Sequence, residues 1–124
     1  IGYLKHPMTL KDLAHHVKKT FDVPWVRVTG DGSKAIKKVA VVGGSGEGYY
    51  SAALSGGADA YITGDMTFHM AQDAHEAGLS IIDPGHHVEK IMKKGVKEYL
   101  KNHISSEDVE IYTSKINTEP FSIQ

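Results

Sequence analysis

Residues 37–83 read KKVAVVGGSGEGYYSAALSGGADAYITGDMTFHMAQDAHEAGLSIID, and this stretch decides the fold. Three apolar runs recur in it: VAVV at 39–42, AYIT at 60–63 and LSII at 79–82. Each is short and closed by glycine or aspartate, the pattern of a buried strand. Between them lie EGYYSAALSGG and MTFHMAQDAHEAG, which read as helices with Gly56 and Gly78 as C-terminal stops. Strands alternating with helices predict an α/β layered domain whose sheet is largely parallel. In such sheets ligands bind beyond the carboxyl ends of the strands. The loops in VVGGSG, ITGD and IIDPGHH are therefore expected along one edge.

Working outward, LKDLAHHVKKTF places Leu10, Leu13, Ala14 and Val17 at helical spacing, with Thr9 as N-cap and Asp12 three residues on. Pro24 ends that helix, and residues 25–28 alternate as a strand closed by Gly30-Asp31-Gly32. Downstream, residues 86–104 form a long amphipathic helix, and VEIYTSKI at 109–116 reads as a final strand. No internal repeat or low-complexity linker interrupts the 124 residues, so a single α/β lobe over 1–124 is expected.

Composition excludes several classes. A net charge of -1 argues against nucleic-acid binding, which requires a basic face. The basic residues of KIMKKGVKEYLKNH fall on a solvated helix face broken by glutamates. With no cysteine, disulfides and thiolate metal sites are impossible. No apolar run nears the ~20 residues of a membrane span. IGYLKHPMTL lacks the apolar centre of a signal peptide, so a cytoplasmic location is expected. The chain starts at Ile1, which suggests a fragment of something longer.

Four constellations carry possible chemistry. In IIDPGHHVEKIM, a strand turns at Asp83-Pro84-Gly85 into a helix that bears His86 and Glu89 at i and i+3. An imidazole and a carboxylate so placed can share a divalent metal. The plainer alternative makes Asp83 an N-cap, Pro84 a first-turn proline and Glu89 a dipole partner. The loop Gly43-Gly44-Ser45-Gly46-Glu47-Gly48 is either a tight strand–helix turn or a cradle for an anionic substrate at Ser45 and Gly46. It matches neither the P-loop nor G-x-G-x-x-G, since position 49 is tyrosine and no lysine follows. Asp65, after Thr63-Gly64, is either a helix cap or a carboxylate beside a metal. His69, at i+4, is either a buried structural histidine or an acid/base. His15 and His16 are adjacent on a helix and diverge by about 100°, which suits a solvated face better than chelation. His87 points away from Glu89.

Taken in order, the GGSG loop, TGD-x3-H and GHH-x-E, together with the closing INTEPF, resemble the C-terminal half of the Nif-three-like family. That family is named for a yeast transcription-factor interactor, and its bacterial members are often called GTP cyclohydrolase I type 2 homologs. The resemblance covers nearly the whole chain. It implies one lobe of a two-lobed fold that assembles as a ring-shaped homohexamer. It also implies two divalent metals per subunit in a cleft between lobes, with His86 and Glu89 as this lobe's ligands. Asp65 and His69 match positions near that cleft, and Ser45 and Gly46 match its glycine loop. The histidine pair and aspartate that the other lobe supplies are missing here, so a half-site is expected.

Metal-assisted hydrolysis of a small anionic or nucleotide-like substrate is the activity this implies for the intact protein, with zinc, iron, manganese or cobalt compatible with N and O ligands. Asp65 and His69 would move protons. The isolated fragment is expected to be inactive and not to hold both metals, which leaves a weak single-metal site or an unoccupied one. No guanine-reading motif singles out GTP. The second reading is a non-catalytic metal-binding or regulatory module whose function is contact with protein partners. A Rossmann-type nucleotide domain is a third reading, disfavoured by the failed glycine fingerprint.

Overall fold

A computed structural model describes residues 1–105 and 108–122. The chain divides into two compact units, Ile1–Val88 and Glu89–Gln124.

The first unit is built on one five-stranded sheet. Its strands are β1 (Gly2–Thr9), β2 (Arg27–Thr29), β3 (Ala35–Ser45), β4 (Ala60–Gly64) and β5 (Ser80–Asp83), in the order β1-β3-β4-β5-β2. The pairs β3–β4 and β4–β5 are parallel, as the strand–helix alternation predicts. The outer strands β1 and β2 pair antiparallel with β3 and β5.

Helix α1 (Leu10–Thr20) has Thr9 as N-cap, with the Asp12 N–H donating to Thr9 Oγ1 at 3.1 Å. Helices α2 (Tyr50–Ser55) and α3 (Phe68–Glu76) follow β3 and β4. Gly56 caps α2, and Gly78 lies just beyond α3 with φ +87°, a backbone that favours glycine.

Side chains that alternate along the strands separate into two cores. Val39, Ala60, Ile62 and Ile82 pack with Leu10, Leu13 and Val17 of α1. Ala40, Tyr61 and Ile81 face the other way and pack with Ala53 of α2 and Ala74 of α3. The sheet is thus covered on both faces, which is why β4 and β5 are buried throughout.

Three expectations change, two of them about strands. Strand β1 was not anticipated from GYLKHPMT. It is an edge strand, mostly exposed, and Pro7 falls where its register against β3 slips between Tyr3 and Met8. A residue without an N–H is tolerated there. Conversely, residues 109–116 form no strand despite their alternation. Their apolar members Val109, Tyr112 and Ile116 are exposed, and alternation that buries neither face does not sustain a strand.

In the second unit, α4 (Met92–His103) has no buried residue, and Lys93 Nζ donates to the Ser114 and Ile116 carbonyls at 3.5 and 3.0 Å. His103 stacks on Tyr99 at 4.0 Å between ring centroids. The expected continuous helix from residue 86 begins instead as a 3-10 segment, His86–Ile91. Among the described residues no helix is long and apolar enough to cross a membrane.

The turn before β4 is tied to β3 by Asp59, whose Oδ2 accepts the Lys37 and Lys38 N–H groups, each at 2.8 Å. Burial acts to raise its carboxyl, but these amides and the Lys34 and Lys37 charges outweigh that and hold it below the usual value. A carboxyl depressed on folding stabilises fully above the unfolded value of about 3.9, and the contribution fades as pH falls through the lower folded value. The stability gap between wild type and Asp59→Asn, measured by urea melts, is expected to be constant from pH 7 to 5. It should shrink below about pH 4. A gap that widens on acidification would contradict this role.

Candidate functional site

The three glycine-bearing loops lie at the carboxyl ends of β3, β4 and β5, and the buried carboxylate of Asp83 joins the turns after β4 and β5 to β2. Asp83 ends β5 and is 1% exposed. A carboxylate there must be surrounded by donors. Its Oδ1 accepts the N–H of Gly85 at 2.8 Å and of Asp65 at 3.2 Å. Its Oδ2 accepts the N–H of Met66 at 3.0 Å and the Arg27 Nη2. Arg27 stands opposite Asp83 in the β2–β5 register and also donates to the Met66 carbonyl at 2.8 Å.

Glycine lets the β4 and β5 ends touch. A Cβ on Gly64 would lie 2.6 Å from the Gly85 carbonyl oxygen and 2.9 Å from the His86 nitrogen, so no other residue fits without moving that turn. The next residue, Asp65, has φ +57°. Aspartate tolerates this left-handed backbone better than most residues, and Asp83 secures it through the Asp65 N–H.

So placed, Asp65 Oδ2 accepts the Nδ1–H of His86 at 2.8 Å. Both side chains are about half exposed, at 52% and 55%. A carboxylate on Nδ1 favours the tautomer that leaves the lone pair on Nε2. The pair can therefore hold an oriented imidazole at the sheet edge, as a base or as a ligand.

Ser45 is exposed and lies beside Gly64 in the β3–β4 register. Gly46 is buried. Its N–H donates to Thr63 Oγ1 at 2.9 Å, and its carbonyl accepts the Tyr61 hydroxyl at 2.7 Å. A Cβ at Gly46 would come within 2.4 Å of Thr63 Oγ1. The glycine is thus required for close packing, and its amide faces Thr63. Burial around this contact pushes the Tyr61 phenol up. Glu47 Oε2 accepts the Thr67 N–H at 3.3 Å, which joins the GGSG loop to the turn before α3.

His69 is exposed on α3, edge-on to Phe68, and makes no hydrogen bond to Asp65. The N-cap of α3 is Thr67, so Asp65 does not cap that helix. Glu89 is exposed, follows His86 by three residues in the 3-10 segment, and belongs to the second unit. Among the described residues no three histidine, aspartate or glutamate side chains form a group suited to a metal ion. The donors present therefore fit part of a metal's coordination rather than all of it. Sequence reasoning did not single out Arg27 and read Asp83 only as a helix cap. An arginine in an alternating strand and an aspartate closing an Ile-Ile strand were the available signals.

An α/β domain that raises a carboxylate–imidazole pair beside glycine turns at its sheet edge defines a class of site-bearing domain, and the comparisons narrow it. Residues 1–120 match the family model Duf34/NIF3 (NGG1p interacting factor 3), and the chain belongs to that family. It is 50% identical to a GTP cyclohydrolase 1 type 2 homolog of Halalkalibacterium halodurans, over 98% of this chain and 33% of that protein. The homolog of Bacillus subtilis is 47% identical over the same shares. A crystal structure of a Bacillus cereus protein related to NIF3 superposes with TM-score 0.91 at 46% identity, covering 98% of this chain and 34% of that one. The chain thus spans about a third of the length of the curated relatives it matches.

If Asp83 is the junction, Asp83→Ala is expected to cost about 3 kcal/mol or more in chemical denaturation, because it strands three N–H groups at about 1–3 kcal/mol each. Asp65→Ala removes only a half-exposed pair and should cost below about 1 kcal/mol. Equal costs would refute the hierarchy.

Proposed function

We propose that this chain contributes part of a divalent-metal site to a metal-dependent hydrolase of the NIF3 family, with His86 and Glu89 as its ligands. The observation that carries the reading is the 2.8 Å contact of His86 Nδ1 with Asp65 Oδ2. Ligating histidines usually give their other ring N–H to a carboxylate or carbonyl, which fixes the ring and strengthens the donor nitrogen. The names of the longer relatives support hydrolytic chemistry on a nucleotide-like substrate. The metals named for this donor set, zinc, iron, manganese or cobalt, follow from its nitrogen and oxygen atoms.

When bound, such an ion acidifies water and offsets negative charge developing on a substrate. The chain's own residues do the remaining work. Asp65 holds the His86 ring through Nδ1, so that His86 would offer Nε2 and Glu89 a carboxylate oxygen to the ion. Asp65 also offers a proton acceptor half open to solvent, and His69 is an exposed imidazole available for proton transfer. Ser45 presents its hydroxyl at the end of β3 beside Gly64, where an anionic group of the substrate would sit, with Gly46 fixing the loop. The ligands beyond His86 and Glu89 come from outside this chain, in the longer protein or its ring-shaped homohexamer.

The test is metal content and affinity, measured by dialysis and elemental analysis on this chain and on the longer protein. His86→Ala and Glu89→Ala should each lower occupancy in the longer protein. Asp65→Asn, which keeps both ligands, should weaken affinity by about 10–100-fold. Full occupancy after His86→Ala would remove the assignment. Retained metal with no turnover on nucleotides, coupled to loss of assembly in the same variants, would favour a non-catalytic interaction module.

A further inference from the structure

A cleft of about 410 Å³ lies within the first unit, between β2, the end of β5 and α3. Its walls are chiefly apolar, from Met66, Phe68, Ala71 and Ile81, and the exposed side chain of Gln72 stands at its rim. Arg27 is the one permanent cation among the lining residues.

The state of Arg27 gives the cleft its chemistry. Nη2 is committed to Asp83 and to the Met66 carbonyl, which fixes the guanidinium plane before any ligand arrives. Its Nε and Nη1 groups make no hydrogen bond among the described residues, and the side chain is 59% exposed. The Asp83 charge is shared with three backbone N–H groups, so it does not consume the whole guanidinium. No acidic side chain other than Asp83 lines the cleft. Phe68, 76% exposed, presents an aromatic ring to the same space.

We infer that this cleft binds a small organic oxyanion, an apolar ring-sized body with one carboxylate or phosphate group held by Arg27. The volume falls in the range of about 300–1,000 Å³ usual for small-molecule sites, where a few polar groups orient a ligand against apolar walls. A preset guanidinium loses little entropy on binding, and its bonds to an oxyanion are charge-assisted. A neutral ligand of the same shape would cover the Arg27 donors without pairing them. This inference does not rest on the metal reading.

The test is a backbone-amide NMR titration of the chain in the presence of EDTA, with phenyl phosphate, benzoate, benzyl alcohol and inorganic phosphate as separate probes. We expect the ring-bearing anions to shift amides at Thr29, Thr67, Phe68 and Ala71 and to bind about tenfold more tightly than benzyl alcohol. The tighter of the two assigns phosphate or carboxylate. Gln72→Glu, which leaves the Arg27–Asp83 pair intact, should weaken them about fivefold by like charge. Phe68→Ala should weaken phenyl phosphate but not inorganic phosphate. Arg27→Gln should abolish the preference for anions, and the Gln72→Glu and Phe68→Ala variants keep the test decisive if that variant fails to fold. Equal binding of benzyl alcohol, inorganic phosphate matching phenyl phosphate, insensitivity to Gln72→Glu, or shifts confined elsewhere would each overturn the proposal. Shifts at these amides that depend on protein concentration alone would instead mark a contact between copies.

Discussion

A carboxylate that is 1% exposed cannot remain in the fold unless its lone pairs are met, and the way Asp83 meets them organises the sheet edge from β4 through β5 to β2. Its four donors come from three separate places: the edge strand β2, the turn after β4, and the turn that Asp83 itself begins. Each donor must be in position for the others to be worthwhile, so the edge forms as a unit. Arg27 reinforces this, since its bond to the Met66 carbonyl ties the charge partner to the same turn whose N–H the carboxylate accepts. Removing either member would leave the other buried or unpaired at a cost larger than the pair's net worth.

That frame explains why a half-exposed pair can still be well placed. Asp65 and His86 gain little from each other energetically, because water screens them. Their positions are set instead by backbone: Asp65 by its left-handed φ and its N–H to Asp83, His86 by the passage of the Gly85 peptide over Gly64. The strain of a positive φ at a non-glycine residue is sustained by buried hydrogen bonds below it. On the other side, Gly46, Thr63 and Tyr61 lock the β3 turn onto β4. Preorganisation here is a property of the scaffold, as a site that must hold geometry requires.

What the sequence revealed follows from the range of the interactions involved. The strands β3, β4 and β5, the cap at Thr9 and the glycine stops are local signals, and all were legible. The meeting of VVGGSG, ITGD and IIDPGHH on one edge was also legible, because parallel topology forces it. Of the edge strands, β2 was legible in the alternation at 25–28, but β1 was not: it exists because β3 offers a ladder, not because GYLKHPMT demands one. Residues 109–116 alternate too, but Val109, Tyr112 and Ile116 are exposed, and alternation that buries neither face gives no strand. Asp83 looked like a helix cap because a local reading sees only Pro84 and Gly85. Its partners Arg27 and Met66 lie 56 and 17 residues away.

The division between what this chain fixes and what it lacks bears on the proposed chemistry. The contact that orients His86 through Nδ1 lies within Ile1–Val88, since Asp65 and Asp83 are both there. Coordination is not, because no three-donor group exists among the described residues. Affinity for an ion depends steeply on the number of preplaced donors, whereas the tautomer and aim of one imidazole depend only on its immediate neighbours. On the proposed reading, affinity and turnover are therefore properties of the longer protein. The aim of the His86 ring is set by Asp65 and the turn that carries it. The Asp83 junction then serves two ends at once: it satisfies a buried carboxylate, and it fixes the turn from which Asp65 reaches His86.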